Sequence, residues 1–143
     1  MKKILAVVFV TIVTSVFMSA QDKIDIRGSH NKPHSMIGYL VDQNCGKRMV
    51  MDDVKKSDAK AAKHTKDCAL EETCKASGFG IVTGGKFYRF DDAGNKKAIE
   101  YLGTTKKEDN IKVEVTGAMN GEKMNVESIR DFKSTGKKVG KKI

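Results

Sequence analysis

The apolar positions of this chain change their spacing several times, and each change predicts a boundary. From Ile4 to Phe17 they run almost unbroken behind Lys2 and Lys3, then give way to the short exit Ser19–Ala20. This is the pattern of a secretory signal, with cleavage expected after Ala20. The run is interrupted by Thr11, Thr14 and Ser15 and falls short of the ~20 residues that span a bilayer, so no transmembrane segment is expected after cleavage. Residues 21–35 are polar, with isolated Ile24 and Ile26 and the single proline, Pro33, and read as a flexible linker. Met36–Val41 (MIGYLV) is a compact apolar run and predicts the first strand.

A charged connection follows Cys45, and the spacing then becomes helical. Ser57 offers a cap, Asp58 suits the first turn, and an Ala-, Lys- and Glu-rich stretch without proline runs to Ala76 before Gly78 stops it. One continuous helix is expected, with Ala61, His64 and Cys68 on one side. Phe79–Val82 and Lys86–Phe90 are strand-like, joined by a hairpin at Thr83, Gly84 and Gly85. Alternation puts Tyr88 and Phe90 on one face of the second run and Phe87 with Arg89 on the other. The latter pair is a candidate ligand-stacking platform. Asp91–Asn95 reads as a turn, with Asn95 capping a short helix that Gly103 ends, and Asp91 and Asp92 are turn formers rather than an acid–base pair. Ile111, Val113 and Val115 alternate, Asn120–Gly121 is the strongest hairpin signal, and Met124 and Val126 alternate again.

Strand, inserted helix, two strands, short helix, two strands: without the insertion this is the order of an OB-fold, a five-stranded partly open barrel with a helix between its third and fourth strands. The expected class is therefore mainly β (α+β): an OB-like domain over residues 36–131, followed by a basic tail over 132–143. The alternative is an open antiparallel α+β sheet.

Composition narrows the setting. Removing 20 of 143 residues leaves 123, with 25 basic against 18 acidic side chains and a formal charge of +7, enough for one domain with a modest core. Lys133, Lys137, Lys138, Lys141 and Lys142 concentrate the excess in the tail. A basic protein outside the cytoplasm, secreted or periplasmic, meets acidic polysaccharide and lipid head groups first. Single-stranded nucleic acid suits the barrel and the charge, but the export signal opposes it.

The candidate chemistry lies between Asp42 and Gly78, which holds Cys45, His64, Cys68 and Cys74. In a continuous helix Cys68 and Cys74 rise about 9 Å apart, too far to bridge, so Cys45 is expected to bond Cys74, with Cys68 as the alternative partner. Cys68 is then a spare thiol beside His64, without a third group to orient it as a nucleophile. The sharper reading makes Cys45, His64, Cys68 and Cys74 one metal site, whose sulfurs and imidazole match zinc or copper(I). Met49 and Met51 offer thioethers near Cys45, and His30 with His34 form a sparse pair in the linker. Phosphate-binding glycine loops, HExxH, CxxC and CxxCH are absent. The expectation is a non-enzymatic binding module without cofactor, its ligand or envelope partner unnamed, or else an envelope metal-binding or thiol-redox protein.

GKFYRFDDAGN, IKVEVTG and the NG hairpin leading to MNVESI are similar to small exported proteins of the bacterial OB-fold type. MIGYLVDQNCG, followed by His64, Cys68, Cys74 and SGFGIV, resembles a group of small secreted bacterial proteins in which a strand ends in Asp and Cys, and a Cys-containing helix leads into the second strand. The resemblance covers about residues 36–130 and implies fold and compartment, not an activity.

Overall fold

The period-2 stretches become five strands: β1 (His34–Asp42), β2 (Phe79–Thr83), β3 (Lys86–Phe90), β4 (Lys112–Asn120) and β5 (Lys123–Asp131). The computed structural model describes residues 33–134; the signal segment, the linker up to residue 32 with His30, and the tail beyond 134 lie outside the described residues. β1 starts two residues before the expected domain boundary, because His34 and Ser35 pair opposite Gly117 and Thr116 of β4.

Pairing runs β1–β2–β3–β5–β4 and back to β1, so the strands of this mixed α+β molecule form a ring. The open antiparallel sheet is not what forms: β4 closes on β1, and β3 meets β5 in parallel. That parallel seam is short, with only Arg89 opposite Lys123 and Phe90 opposite Met124. Leu40, Phe79, Ile81, Phe90, Ile111, Val113, Val115 and Met124 make the main core, together with Ala98 and Leu102 of α5 (Asp92–Thr104). Fully burying each large apolar side chain contributes about 1.5–3 kcal/mol, which makes this cluster the main source of stability.

The turns follow backbone chemistry. Gly84 and Gly85 both have positive φ, 58° and 76°, as a two-residue hairpin of the tightest kind requires. At the second hairpin the loop is Gly121–Glu122 rather than Asn120–Gly121. Asn120 still pairs with Lys123, and Gly121 alone takes a positive φ. α5 starts earlier than expected because Asp91, not Asn95, caps it, accepting from the Gly94 N–H at 2.8 Å. Asn95 instead accepts the Phe79 N–H at 2.8 Å and ties α5 to β2.

The insertion departs furthest from expectation. The charged connection after β1 is a helix, α1 (Gln43–Asp52), and the predicted continuous helix is three short ones: α2 (Ser57–Ala62), α3 (Lys66–Leu70) and α4 (Glu72–Ser77). The last break falls at Glu71, whose ψ of 142° ends α3 and starts α4. α1 and α2 lie against the outward face of the ring, where Val41, Ala61 and Val82 form a second, smaller core with Tyr39, Met49, Val50 and Phe87 beside it, while α3 adds Ala69 and Leu70 to the main core. Among the described residues no helix is long and apolar enough to cross a membrane.

Candidate metal centre

Each cysteine is the third residue of its helix: Cys45 in α1, Cys68 in α3 and Cys74 in α4. The residues three positions earlier, Asp42, Thr65 and Glu71, are the helix caps. Asp42 Oδ1 accepts from the Cys45 N–H at 2.9 Å, and Thr65 Oγ1 accepts from the Cys68 N–H at 3.2 Å. An N-cap side chain reaches the N–H of the third helical residue, so the D-x-x-C and T-x-x-C spacings are capping geometry that also fixes where each thiol starts.

Helix breaks then bring the thiols together. The sulfurs of Cys45, Cys68 and Cys74 all lie within 4.8 Å of one another. The expected Cys45–Cys74 bridge, and its Cys68 alternative, is not formed, and all three cysteines are free. That prediction rested on a continuous helix separating Cys68 from Cys74. The extended residue at Glu71 removes the separation and gives three mutually adjacent sulfurs instead of a pair and a spare.

Cys45 belongs to a second triplet, in which one ligand atom each from Asp42, Cys45 and His64 also lies within 4.8 Å of the others. Asp42 and His64 are both buried. Asp42 Oδ2 sits 3.1 Å from His64 Nε2 as an ion-pair contact, although the direction is poor for a hydrogen bond. Asp42 Oδ2 and both imidazole nitrogens are consequently buried without a well-directed partner. Such atoms are costly unless something else satisfies them. Sequence reasoning missed Asp42 as a member of the site. The signal was available: an N-cap aspartate at the end of an apolar strand, three residues before a cysteine.

Electrostatics define what the cluster accepts. Burial pushes the Cys45 thiol up to about 12, and the Asp42 carboxylate and the nearby Cys68 add to the effect. Cys74 is raised by burial first, then by Asp42 and Cys68. For Asp42, burial acts upward, but the His64 contact and the Cys45 N–H outweigh it and hold the carboxyl below its usual value. Among the described residues, Arg48 is the cation aimed at a sulfur, its Nη2 donating to Cys45 Sγ at 3.6 Å. Deprotonating these adjacent thiols beside a buried carboxylate is favourable only with a compact positive charge among them.

The other expected ligands are elsewhere. Met49 packs in the smaller core, and Met51 is 84 % exposed. His34 is the first residue of β1. Phe87 and Arg89 share a face of β3 and line a cleft away from the sulfurs. Comparison with protein-family models, curated proteins and solved structures finds no match.

Proposed function

We propose that this protein binds zinc or copper(I) through Cys45, Cys68, Cys74 and His64, with Asp42 orienting the imidazole, and that it acts by binding rather than catalysis. The carrying observation is the convergence of three free thiols with two buried side chains whose polar atoms lack directed partners. A tetrahedral zinc with bonds of about 2.3 Å separates its sulfurs by about 3.8 Å, so the three sulfurs need to contract by no more than about 1 Å, and His64, which meets them at Cys45, moves in as the fourth ligand. A carboxylate beside one imidazole nitrogen while the other faces the metal is the usual outer-sphere arrangement of histidine ligands, and it holds tautomer and ring direction.

The ring order, the parallel β3–β5 seam and the helix between β3 and β4 support an OB-like barrel as the scaffold, and the apolar segment behind Lys2 and Lys3 supports export to the envelope or medium. A thiol-redox role fits less well. It needs an accessible, low-pKa thiolate, whereas Cys45 and Cys74 are buried and raised.

The test is elemental analysis of the native protein together with thiol titration before and after chelation. The reading expects about one metal ion per chain and thiols that react only once it is removed. A stable disulfide with one reactive thiol, indifferent to chelator, would overturn it.

A further inference from the structure

A second site lies where the strand ring is thinnest. Because β3 and β5 pair over only two positions, the start of β3 separates from its neighbour and leaves a cleft of about 790 Å³. One wall is α1, where Lys47, Val50 and Met51 follow the i, i+3, i+4 spacing of a single helix face. The opposite wall is β3, where Phe87 and Arg89 share a face, and the β4–β5 hairpin closes the end.

Its charge is one-sided. Lys47, Lys86, Arg89 and Lys123 line it against Glu122 alone. None of the four cations enters an ion pair among the described residues. Arg89 stands directly opposite Lys123 across the seam, a like-charge pairing that costs stability, and Arg89 Nε is buried without an acceptor. Between these cations lie half-buried Phe87 and the flexible thioethers of Met51 and Met119, surfaces that adapt to an apolar body.

We propose that this cleft binds a small amphipathic anion, a single carboxylate or sulfonate head on an aliphatic or aromatic body. The head takes the Arg89–Lys123 pair, and the body lies between Phe87 and Met51. The volume is in the range of sites for molecules of that size. No member of the metal centre lines the cleft, so the proposal does not depend on that reading.

Titrating the full chain with anilinonaphthalene sulfonate, then displacing it with dodecanoate, tests the assignment. Saturable binding and displacement by dodecanoate are expected, with no displacement by dodecyltrimethylammonium or inorganic phosphate. Arg89→Gln is expected to weaken dodecanoate about tenfold or more. Because Arg89 is partly buried, Lys86→Glu and Met51→Ser, both at exposed positions, provide variants whose folding is not at issue, each expected to weaken binding several-fold. Lys106→Gln, an exposed cation outside the cleft, should change nothing. Non-saturable binding, equal displacement by the cationic amphiphile, or equal affinity in Met51→Ser, Lys86→Glu and Lys106→Gln would overturn the proposal. Displacement by a short single-stranded oligonucleotide but not by dodecanoate would overturn it too, in favour of a nucleic-acid surface.

Discussion

Asp42 performs two tasks with its two oxygens, and substitution can separate them. Oδ1 caps α1 through the Cys45 N–H, and Oδ2 faces His64. Asparagine caps about as well as aspartate but brings no charge to the imidazole. Asp42→Asn is therefore expected to keep the fold and weaken zinc binding about 10–100-fold, the usual effect of losing a group that orients a histidine ligand, read by competition with a chromophoric chelator. Asp42→Ala loses the cap as well, and its thermal or denaturant unfolding should report about 1 kcal/mol of further destabilisation. The thiols set the pH dependence. Cys45 and Cys74 are both raised, Cys45 to about 12, so at neutral pH they hold protons that a metal must displace. Lowering the pH favours the protonated competitor. Apparent zinc affinity is therefore expected to fall by about two or more log units per pH unit between pH 8 and pH 6, measured by the same competition. A pH-independent affinity would mean that those sulfurs are not ligands.

At the level of elements, the molecule divides into a ring with its own large core and an insertion with little. α2, α3 and α4 are five or six residues long, too short to persist on propensity alone. They are held by specific ties: the Gln43 N–H to Gly78 O at 2.8 Å, Lys66 N–H to Glu108 O at 2.7 Å, and the Gly84 and Gly85 N–H groups to the Asp58 carboxylate. In the proposed reading, a metal at the three helix starts would add one more anchor. Chelation is expected to accelerate hydrogen exchange in residues 57–77 while β4 and β5 remain protected, whereas uniform protection in both states would deny the metal any role in ordering the insertion. Gly46 tests the packing beneath it. A side-chain carbon there would come 2.6 Å from the Phe87 ring, so Gly46→Ala should destabilise by about 1–3 kcal/mol in denaturant unfolding. The strands were legible because period-2 alternation was strong at Ile111, Val113 and Val115, and because the Gly84–Gly85 turn has its own backbone chemistry. The insertion was not. Ala, Lys and Glu, which favour helix, fill most positions from 58 to 76, and composition does not record the extended backbone at Glu71. What did record it was the spacing of caps and cysteines, which propensity alone overlooks.

On the scale of the whole molecule, the proposed metal centre would be linked to the fold through binding. The main core holds the ring with or without metal, so Phe90→Ala, which empties a fully buried site, is expected to cost about 3–5 kcal/mol in either state. Metal acts differently, because it adds stability only insofar as it binds the folded chain. At a hundredfold excess over the dissociation constant the gain is about 2.7 kcal/mol. For a domain of roughly this size that corresponds to a rise in melting temperature of about 10–20 °C, reversed by chelator. Replacing Cys45, Cys68 and Cys74 together with serine should remove the zinc-induced rise while leaving Phe90→Ala as costly as before, since none of the three cysteines belongs to the main core. A wild-type chain that melts at one temperature with and without zinc, while keeping three reactive thiols, would leave the ring intact and eliminate the centre. Calorimetry of the two chains, each with zinc and with chelator, therefore decides whether the insertion is ordered by a bound ion or by the apolar contacts of Val41, Ala61 and Val82 alone.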